Sequence, residues 1–343
     1  MSAPPSLDPE RQRLARAYAR QKRALLAGEL ILGLAYLTAW QIGLALTHAS
    51  VMSAGRIIVL FAVMAAGFDL VSLPQAWIGY QLSRGYGLST QSARSWFADN
   101  LKGLAITLIL GGAVVELTYL FMRLQPNWWW LIMAGIMLLF TVLLANLAPV
   151  LIAPLFFKFT PLDDAELAER LLALVRKAGT QVRGVFTMHL SEKTTAANAA
   201  LMGWGNTRRI VVGDTLISQF TPDETEAVLA HELGHHVHHD IWRAIALQTA
   251  TTVAGLWLTY LVVGALTFHH HLLPIWPDAA NMPALALVFA FWSGLFAPLA
   301  NWQSRIAERH ADEYALRTAT LPRAFVHSMV RLANQNLAEV DPP

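Results

Sequence analysis

The sequence lacks cysteine altogether, and charged residues make up only 14% of its 343 positions. Without cysteine, neither disulfides nor thiolate metal sites can form, so any bound metal must be held by His, Asp or Glu. The few charges are combined with 55% hydrophobic residues and a mean hydropathy of +0.42, which is too apolar for a soluble domain. This composition indicates a chain that crosses a membrane several times.

Six apolar stretches are long enough to cross a bilayer. They cover about 24–46, 56–80, 101–122, 128–152, 242–265 and 283–302. A basic, polar arm of residues 1–23 precedes the first stretch, which is too long for a signal-peptide core and lacks an evident cleavage site. We therefore expect a retained anchor. Directly before a span, a basic arm favours contact with membrane lipids over binding of nucleic acid.

The positions of Lys and Arg predict the topology. They are concentrated in the N-terminal arm, the loop 81–102, the polar segment that begins at Lys158 and the C-terminal segment. Basic segments stay on the cytoplasmic side, so we expect the N-terminus and the polar segment there. The predicted organisation is an arm 1–23, four spans in 24–152 with the loop 81–102, a polar segment 153–240, a membrane hairpin 241–303 and a C-terminal segment 304–343.

Two acidic residues, Asp69 and Glu116, fall inside predicted spans. An ionisable group is costly in the membrane and usually faces a cavity or a partner. Either residue could line a hydrated chamber, and either could be paired within the bundle.

The polar segment contains His231-Glu232-Leu-Gly-His235, the HExxH pattern of zinc metalloproteases. Residues four apart share one face of a helix, so both imidazoles can reach a single metal ion. Glu232 is then placed to contact a water there. The pattern alone also fits an ordinary polar helix face. However, Thr221-Pro-Asp-Glu224 is a capping box with Pro at the first helical position, which predicts that the motif lies on a helix.

A catalytic zinc ion needs a third protein ligand. Along a continued helix, His238 and His239 would lie about 10–12 Å beyond His231, too far to share its metal. His236 lies beside His235 and is equally set aside. The histidines at 269–271 are predicted on the opposite side of the membrane.

The predicted membrane hairpin returns the chain to the cytoplasmic side, where Glu308 and Asp312 are four residues apart and share a helix face. We predict that Glu308 completes a His/His/Glu site for one Zn²⁺ and that Asp312 orients an imidazole N–H. His310 points off that face.

The polar segment also predicts a small α+β unit. Thr160-Pro-Leu-Asp163 predicts the start of an amphipathic helix that runs to about Lys177 and stops at Gly179. Residues 182–190 alternate as in a strand, and 197–204 with 208–213 predict a hairpin.

With these motifs the sequence resembles the integral-membrane zinc metalloproteases that include the type I CAAX prenyl proteases. The resemblance covers most of the chain. It rests on the zinc helix and on four further stretches: Ser304-Arg-x-x-Glu308-x-x-Ala311-Asp312; Tyr86-Gly-Leu-Ser-Thr-Gln91 with Trp96, Asp99 and Lys102; Ile152–Pro161; and Asn198-Ala199. It implies a mainly α, polytopic membrane bundle around a chamber, with a small α+β metalloprotease domain at its cytoplasmic side. It also implies that Asn198 and Ala199 hold the substrate.

The sequence departs from this family's pattern in two respects. It has six predicted spans where the eukaryotic prenyl proteases have seven. The family also continues past the Asp-Pro at 341–342 with a His-Pro stretch and a later Arg, whereas this sequence stops at Pro343. We expect either a piece of a longer protein or oxyanion-stabilising groups from elsewhere.

The expected function is zinc-dependent cleavage of peptides, including lipid-modified ones, in or beside a membrane chamber, with Glu232 as general base. Two alternatives remain: a catalytically impaired relative that binds substrate or lipid, and a membrane transporter that merely binds metal. Only the enzyme requires Glu232. The oligomeric state does not follow from the sequence.

Overall fold

The computed structural model describes residues 6–203, 205–268, 271–275, 277–318 and 322–340. Three predicted features lie outside these residues: the end of the predicted strand at Trp204, the histidines at 269 and 270, and the terminal 341–343.

The described residues are mainly helical. In chain order the α-helices are α1 Pro9–Leu46, α2 Ala54–Gly85, α3 Ala93–Ile106, α4 Gly112–Leu124, α5 Trp129–Leu147, α6 Ala153–Phe156, α7 Ala165–Lys177, α8 Asp214–Gln219, α9 Pro222–Val237, α10 Asp240–Phe268, α11 Met282–Thr318 and α12 Pro322–Gln335. Short π-helical turns join α3 to α4 and α5 to α6, so each pair forms one continuous apolar helix.

Six helices in the described residues are long and apolar enough to cross a membrane. They are Pro9–Leu46, Ala54–Gly85, Ala93–Leu124, Trp129–Phe156, Asp240–Phe268 and Ala279–Thr318. Each contains one of the six predicted spans to within a residue, which confirms the predicted bundle. Many of their large apolar side chains are exposed, as expected for surfaces that face lipid.

The N-terminal arm belongs to the first helix. Asp8 caps α1 by accepting hydrogen bonds from Glu10 N and Arg11 N, and the helix then runs without a break to Leu46. The residues predicted as an arm before the first span are therefore largely an extension of that span.

A four-stranded sheet forms the centre of the polar segment. Its strands are β1 Phe159–Pro161, β2 Val185–Met188, β3 Ala199–Met202 and β4 Arg209–Gly213, in the order β1-β2-β4-β3. β3 and β4 are antiparallel, which confirms the predicted hairpin, whereas β2 and β4 are parallel. This order leaves β3 at one edge of the sheet.

The predicted start of the amphipathic helix was wrong. Residues 159–161 form β1 and pair with β2. The helix, α7, begins at Ala165, where the Asp164 side chain accepts a hydrogen bond from Leu167 N. It ends at Lys177, and Gly179 follows with φ +70°, close to the predicted end.

The sheet and the zinc-motif helix share one apolar core. Leu171 and Val175 of α7, Ile210 and Val212 of β4 and Leu229 of α9 are buried in it. α9 is thus held between α7, the sheet and α12, with its buried face fixed against the core.

Candidate metal centre

The helix that carries HExxH is held at its start by several polar contacts. Thr221 and Glu224 form the predicted capping box, and Pro222 is the first helical residue. Arg170 from α7 contacts Asp223 and Glu226 of α9, and Arg331 from α12 donates to Glu224 Oε2 at 2.6 Å. Arginines from two neighbouring helices thus fix the start and direction of α9.

The third predicted ligand lies on α11, which crosses the membrane region and continues to Thr318. α11 passes very close to α9 at Gly234. A Cβ added to Gly234 would lie 2.7 Å from Ala311 Cα. The glycine of the motif therefore permits a close helix crossing, and the previous turn of α11 presents Glu308 to the two histidines.

The three predicted ligand side chains converge. His231 Nε2 lies 3.4 Å from Glu308 Oε2, and His235 Nε2 lies 3.9 Å from Glu308 Oε1. One donor atom from each of the three residues lies within 4.8 Å of the others. The same ring nitrogen of each imidazole thus faces the Glu308 carboxylate, which is the arrangement that a shared metal ion requires.

The other nitrogen of each imidazole faces a carboxylate. His231 Nδ1 lies 3.0 Å from Asp312 Oδ1, a polar contact without the alignment of a full hydrogen bond. His235 Nδ1 lies at hydrogen-bond distance, 3.0 Å, from Asp240 Oδ2. Asp312 therefore sits where it was predicted. Asp240 was missed, although its position five residues after His235 was a usable signal.

Burial shifts the pKa values of His231 and Glu232. It lowers the pKa of His231, and the nearby His235 lowers it further. Burial raises the pKa of Glu232 to about 7. A carboxyl group with this pKa can both accept and release a proton near neutral pH, as a general base that later acts as an acid must do.

Among the residues that the structure describes, no other histidine joins His231, His235 and Glu308 in a group that could hold a metal ion. α9 ends at Val237, and His239 has φ +56°, so the chain turns instead of continuing as the predicted helix. The His238 ring stacks on His310 with the ring centroids 5.2 Å apart. His238 N still donates to Gly234 O at 3.0 Å, as in a helical turn, so the exclusion of His238 by distance along the helix agrees with the structure, whereas His239 lies in the turn that follows.

Two cavities reach the site, and His235 lines both of them. One of about 500 Å³ lies between α10 and α11 and reaches His235 and Glu308. Its wall mixes polar with apolar side chains, such as Gln248 and Phe289. The other, of about 250 Å³, is lined by Glu232, His235 and Leu201 of β3. The space beside Glu232 thus extends to the edge strand, where Asn198 is exposed and Ala199 is buried.

The loop 81–102 contacts the polar segment closely. Ser89 and Thr194 form a β-bridge, and Lys193 pairs with Asp99. Lys102 also contacts Asp99 and donates to Leu155 O at 2.8 Å. The resemblance pointed to this loop, but the sequence alone gave no sign of its partner.

The donor set suits zinc. Two imidazole nitrogens and one carboxylate oxygen form a ligand combination of catalytic zinc sites, and carboxylates behind the imidazoles are the usual outer contacts. The residues present thus fit the metal that the HExxH pattern implies.

Comparison with known proteins gives two adjoining family matches. The model for peptidase family M48 matches residues 161–342, and that for the CAAX prenyl protease N-terminal region, five membrane helices, matches residues 6–158. The structure is similar to the crystal structure of S. mikatae Ste24p, with a TM-score of 0.78 at 23% identity. The similarity covers 100% of this chain and 87% of that one, so the fold is shared.

Two relatives are similar to this chain over only part of their own length. The uncharacterized metalloprotease YhfN of Bacillus subtilis is 32% identical over 277 residues, which are 80% of this chain and 65% of that protein. CAAX prenyl protease 1 of Saccharomyces cerevisiae is 33% identical over 172 residues, 48% of this chain and 37% of that protein. The chain thus spans less than two thirds of the length of these relatives.

Proposed function

The chain belongs to peptidase family M48, a multi-pass membrane member of it, and from this premise we propose that it is a zinc-dependent endopeptidase. The observation that carries the proposal is the convergence of His231 Nε2, His235 Nε2 and the Glu308 carboxylate within 4.8 Å. These three residues would hold one Zn²⁺. Asp312 and Asp240 would orient the two imidazoles from behind.

When bound, the metal supplies Lewis-acid polarisation of the scissile carbonyl and lowers the pKa of water. The Glu232 carboxylate accepts a proton from the attacking water and delivers it to the nitrogen of the departing amine. The cavity beside Glu232 places these steps next to β3.

The substrate is proposed to be a peptide that pairs with the free edge of β3. An exposed strand edge binds an extended chain through backbone hydrogen bonds. Asn198 and Ala199 would hold the peptide at the start of this edge. The relatives named CAAX prenyl protease 1 suggest lipid-modified carboxyl termini as substrates to test. The cavity of about 500 Å³ next to Glu308 offers space for an apolar group.

The site is proposed to face the cytoplasm. The even number of candidate spans among the described residues returns both ends of the chain to one side, and the basic segments lie on that side with the polar segment.

Two variants test the proposed function. In detergent or liposomes, Glu232→Gln should retain zinc but lose cleavage by about 10²-fold or more, because only the proton acceptor is removed. Glu308→Ala should lose zinc, measured by metal analysis. Mass spectrometry of peptides with and without a prenyl group would define the substrate. Chelator-sensitive cleavage that is unchanged in Glu232→Gln would refute the assigned mechanism. Undiminished zinc in Glu308→Ala would refute the third ligand.

A further inference from the structure

The free edge of β3 has a defined set of hydrogen-bonding groups. Gly213 N donates to Asn198 O at 2.8 Å, so the backbone of Asn198 faces β4. In an antiparallel pair the backbone groups of successive residues point to alternate sides. The N–H and C=O of Ala197, Ala199 and Leu201 therefore point toward the free edge.

The first of these positions is already filled by a side chain. Ala197 N donates to Asn336 Oδ1 at 3.0 Å, and Asn336 Nδ2 donates to Ala197 O at 3.1 Å. One amide thus makes both bonds that a neighbouring strand would make. In the part of the chain that the structure describes, the outward backbone groups of Ala199 and Leu201 have no hydrogen-bond partner.

The amide is held from several sides. Asn336 N donates to Leu332 O at 2.8 Å, at the end of α12. The neighbouring Gln335 Nε2 donates to Thr195 O at 2.7 Å. Arg11 of α1 donates from Nε to Asn334 O at 2.9 Å and from Nη2 to Gln335 O at 3.3 Å. These contacts bind the last carbonyl groups of α12 and fix the segment that carries Asn336.

We propose that Asn336 caps the edge of β3 and limits how far a bound peptide can extend past the cleaved bond. This inference rests on the proposed function. Leu201 lines the cavity that contains Glu232 and His235, whereas the cap lies at Ala197. The distance between these two strand positions is about 13 Å, or room for about four peptide residues.

The direction of the peptide determines which of its ends meets the cap. Antiparallel pairing is the more stable arrangement per residue. A peptide antiparallel to β3 runs from Leu201 toward Ala197, so its carboxyl end approaches Asn336. Asn336 is thus a specificity-determining residue that favours bonds close to the carboxyl end of the substrate.

Two series of peptides, cleaved by the full-length, zinc-loaded protein, test the proposed limit on the length of the bound peptide. In one series the carboxyl side of the cleaved bond is lengthened from two to ten residues, and in the other the amino side is lengthened equally. For the wild-type protein, kcat/KM should fall by about tenfold or more once the carboxyl side exceeds about four residues, with little change in the other series. A fall in the amino series alone would overturn the predicted direction. Equal rates throughout both series would overturn the limit itself.

Asn336→Ala should reduce the discrimination between short and long carboxyl sides by about fivefold or more, because the edge at Ala197 becomes available to the peptide. Asn334→Ala is the matched control, since Asn334 lies in the same segment but contacts Asp8 and Ser6 of the N-terminal arm. It should keep the wild-type ratio. Zinc content and thermal unfolding identify any variant that fails to fold.

Asn336→Asp provides a second variant, because it can accept from Ala197 N but cannot donate to Ala197 O. It should lie between wild type and Asn336→Ala in its length discrimination. If zinc-loaded Asn336→Ala and Asn336→Asp both cleave with the wild-type length ratio, the cap plays no part in specificity. Absence of cleavage by the wild-type protein would instead contradict the proposed function.

Discussion

The two histidines of the motif differ in how their outward nitrogens are held. Asp240, with 11% of its side chain exposed, lies 3.0 Å from His235 Nδ1. Asp312, with 50% of its side chain exposed, lies at the same distance from His231 Nδ1 but is not aligned with it. A less solvated, better aligned carboxylate should contribute more to the orientation and basicity of its imidazole.

This difference predicts unequal effects of two matched substitutions. Asp240→Asn should weaken zinc affinity by about 10- to 100-fold, because the imidazole loses its charged acceptor. Asp312→Asn should weaken it less. Competition with a chromogenic chelator measures both affinities. A larger loss in Asp312→Asn would show that exposure and alignment do not rank these contacts.

We expect the Asp214 carboxylate to make a pH-dependent contribution to the stability of the fold. Burial alone would raise its pKa, but hydrogen bonds from Ser191 Oγ at 2.5 Å, Ser191 N at 3.0 Å and Leu190 N at 2.9 Å outweigh burial and hold the pKa below its usual value. A carboxyl group whose pKa is lower in the folded state stabilises the fold above its unfolded pKa. This contribution disappears as the pH falls through the folded pKa.

Asp214→Asn should therefore destabilise the protein by about 1–3 kcal/mol near neutral pH, because the charged acceptor is lost. The gap in Tm between wild type and variant should narrow as the pH falls from about 5 to 3. Thermal unfolding of both proteins across this range gives the measurement. A gap that is constant with pH would show that the charge of Asp214 is not the stabilising factor.

The crossing of α9 and α11 is the structural step that assembles the metal centre. Gly234 has helical backbone geometry, so its role is close approach rather than conformational freedom. Gly234→Ala should improve local helix propensity, yet its Cβ would collide with Ala311 Cα. The collision must be relieved by separation of the helix that carries two ligands from the helix that carries the third.

We therefore expect Gly234→Ala to lower stability by about 1–3 kcal/mol. Zinc affinity should fall at least about tenfold, because Glu308 moves away from the histidines. Gly264→Ala in α10 is the control, since a Cβ there meets no atom within 4 Å. It should keep wild-type zinc binding. Wild-type zinc affinity in Gly234→Ala would mean that the crossing tolerates a methyl group.

Local patterns predicted the helix of HExxH, its capping box and the β3–β4 hairpin, because each depends on a few adjacent residues. The apolar spans were equally predictable from length and composition. The start of α7 was not, because pairing of residues 159–161 with β2 outweighed their local turn signals. Asn336 was missed for another reason, because its contact with Ala197, 139 residues away, depends on where distant helices place the chain. Asp240 was missed although it lies only five residues after His235.

At the scale of the whole molecule, the start of α1 and the segment after α12 meet beside the candidate substrate strand. α1 contacts the segment after α12 through Arg11, and Arg23 pairs with Glu339 at 2.9 Å. The same segment holds the backbone of Ala197 through Asn336. The N-terminal helix is therefore both an anchor in the membrane and a support for the C-terminal segment. These contacts require the start of α1 and the segment after α12 to lie on the same side of the membrane.

The proposed orientation of the whole molecule in the membrane can be tested by labelling introduced cysteines. Because the chain has no cysteine, a single introduced cysteine is the only thiol. Asn127, between α4 and α5, and Glu166, on α7, are both exposed and lie on opposite sides in the proposed topology. On intact cells, a membrane-impermeant maleimide should label Asn127→Cys but should label Glu166→Cys only after permeabilisation. Denatured samples of both variants control for thiol reactivity. The reverse pattern would place the metal centre outside the cytoplasm, against the distribution of Lys and Arg.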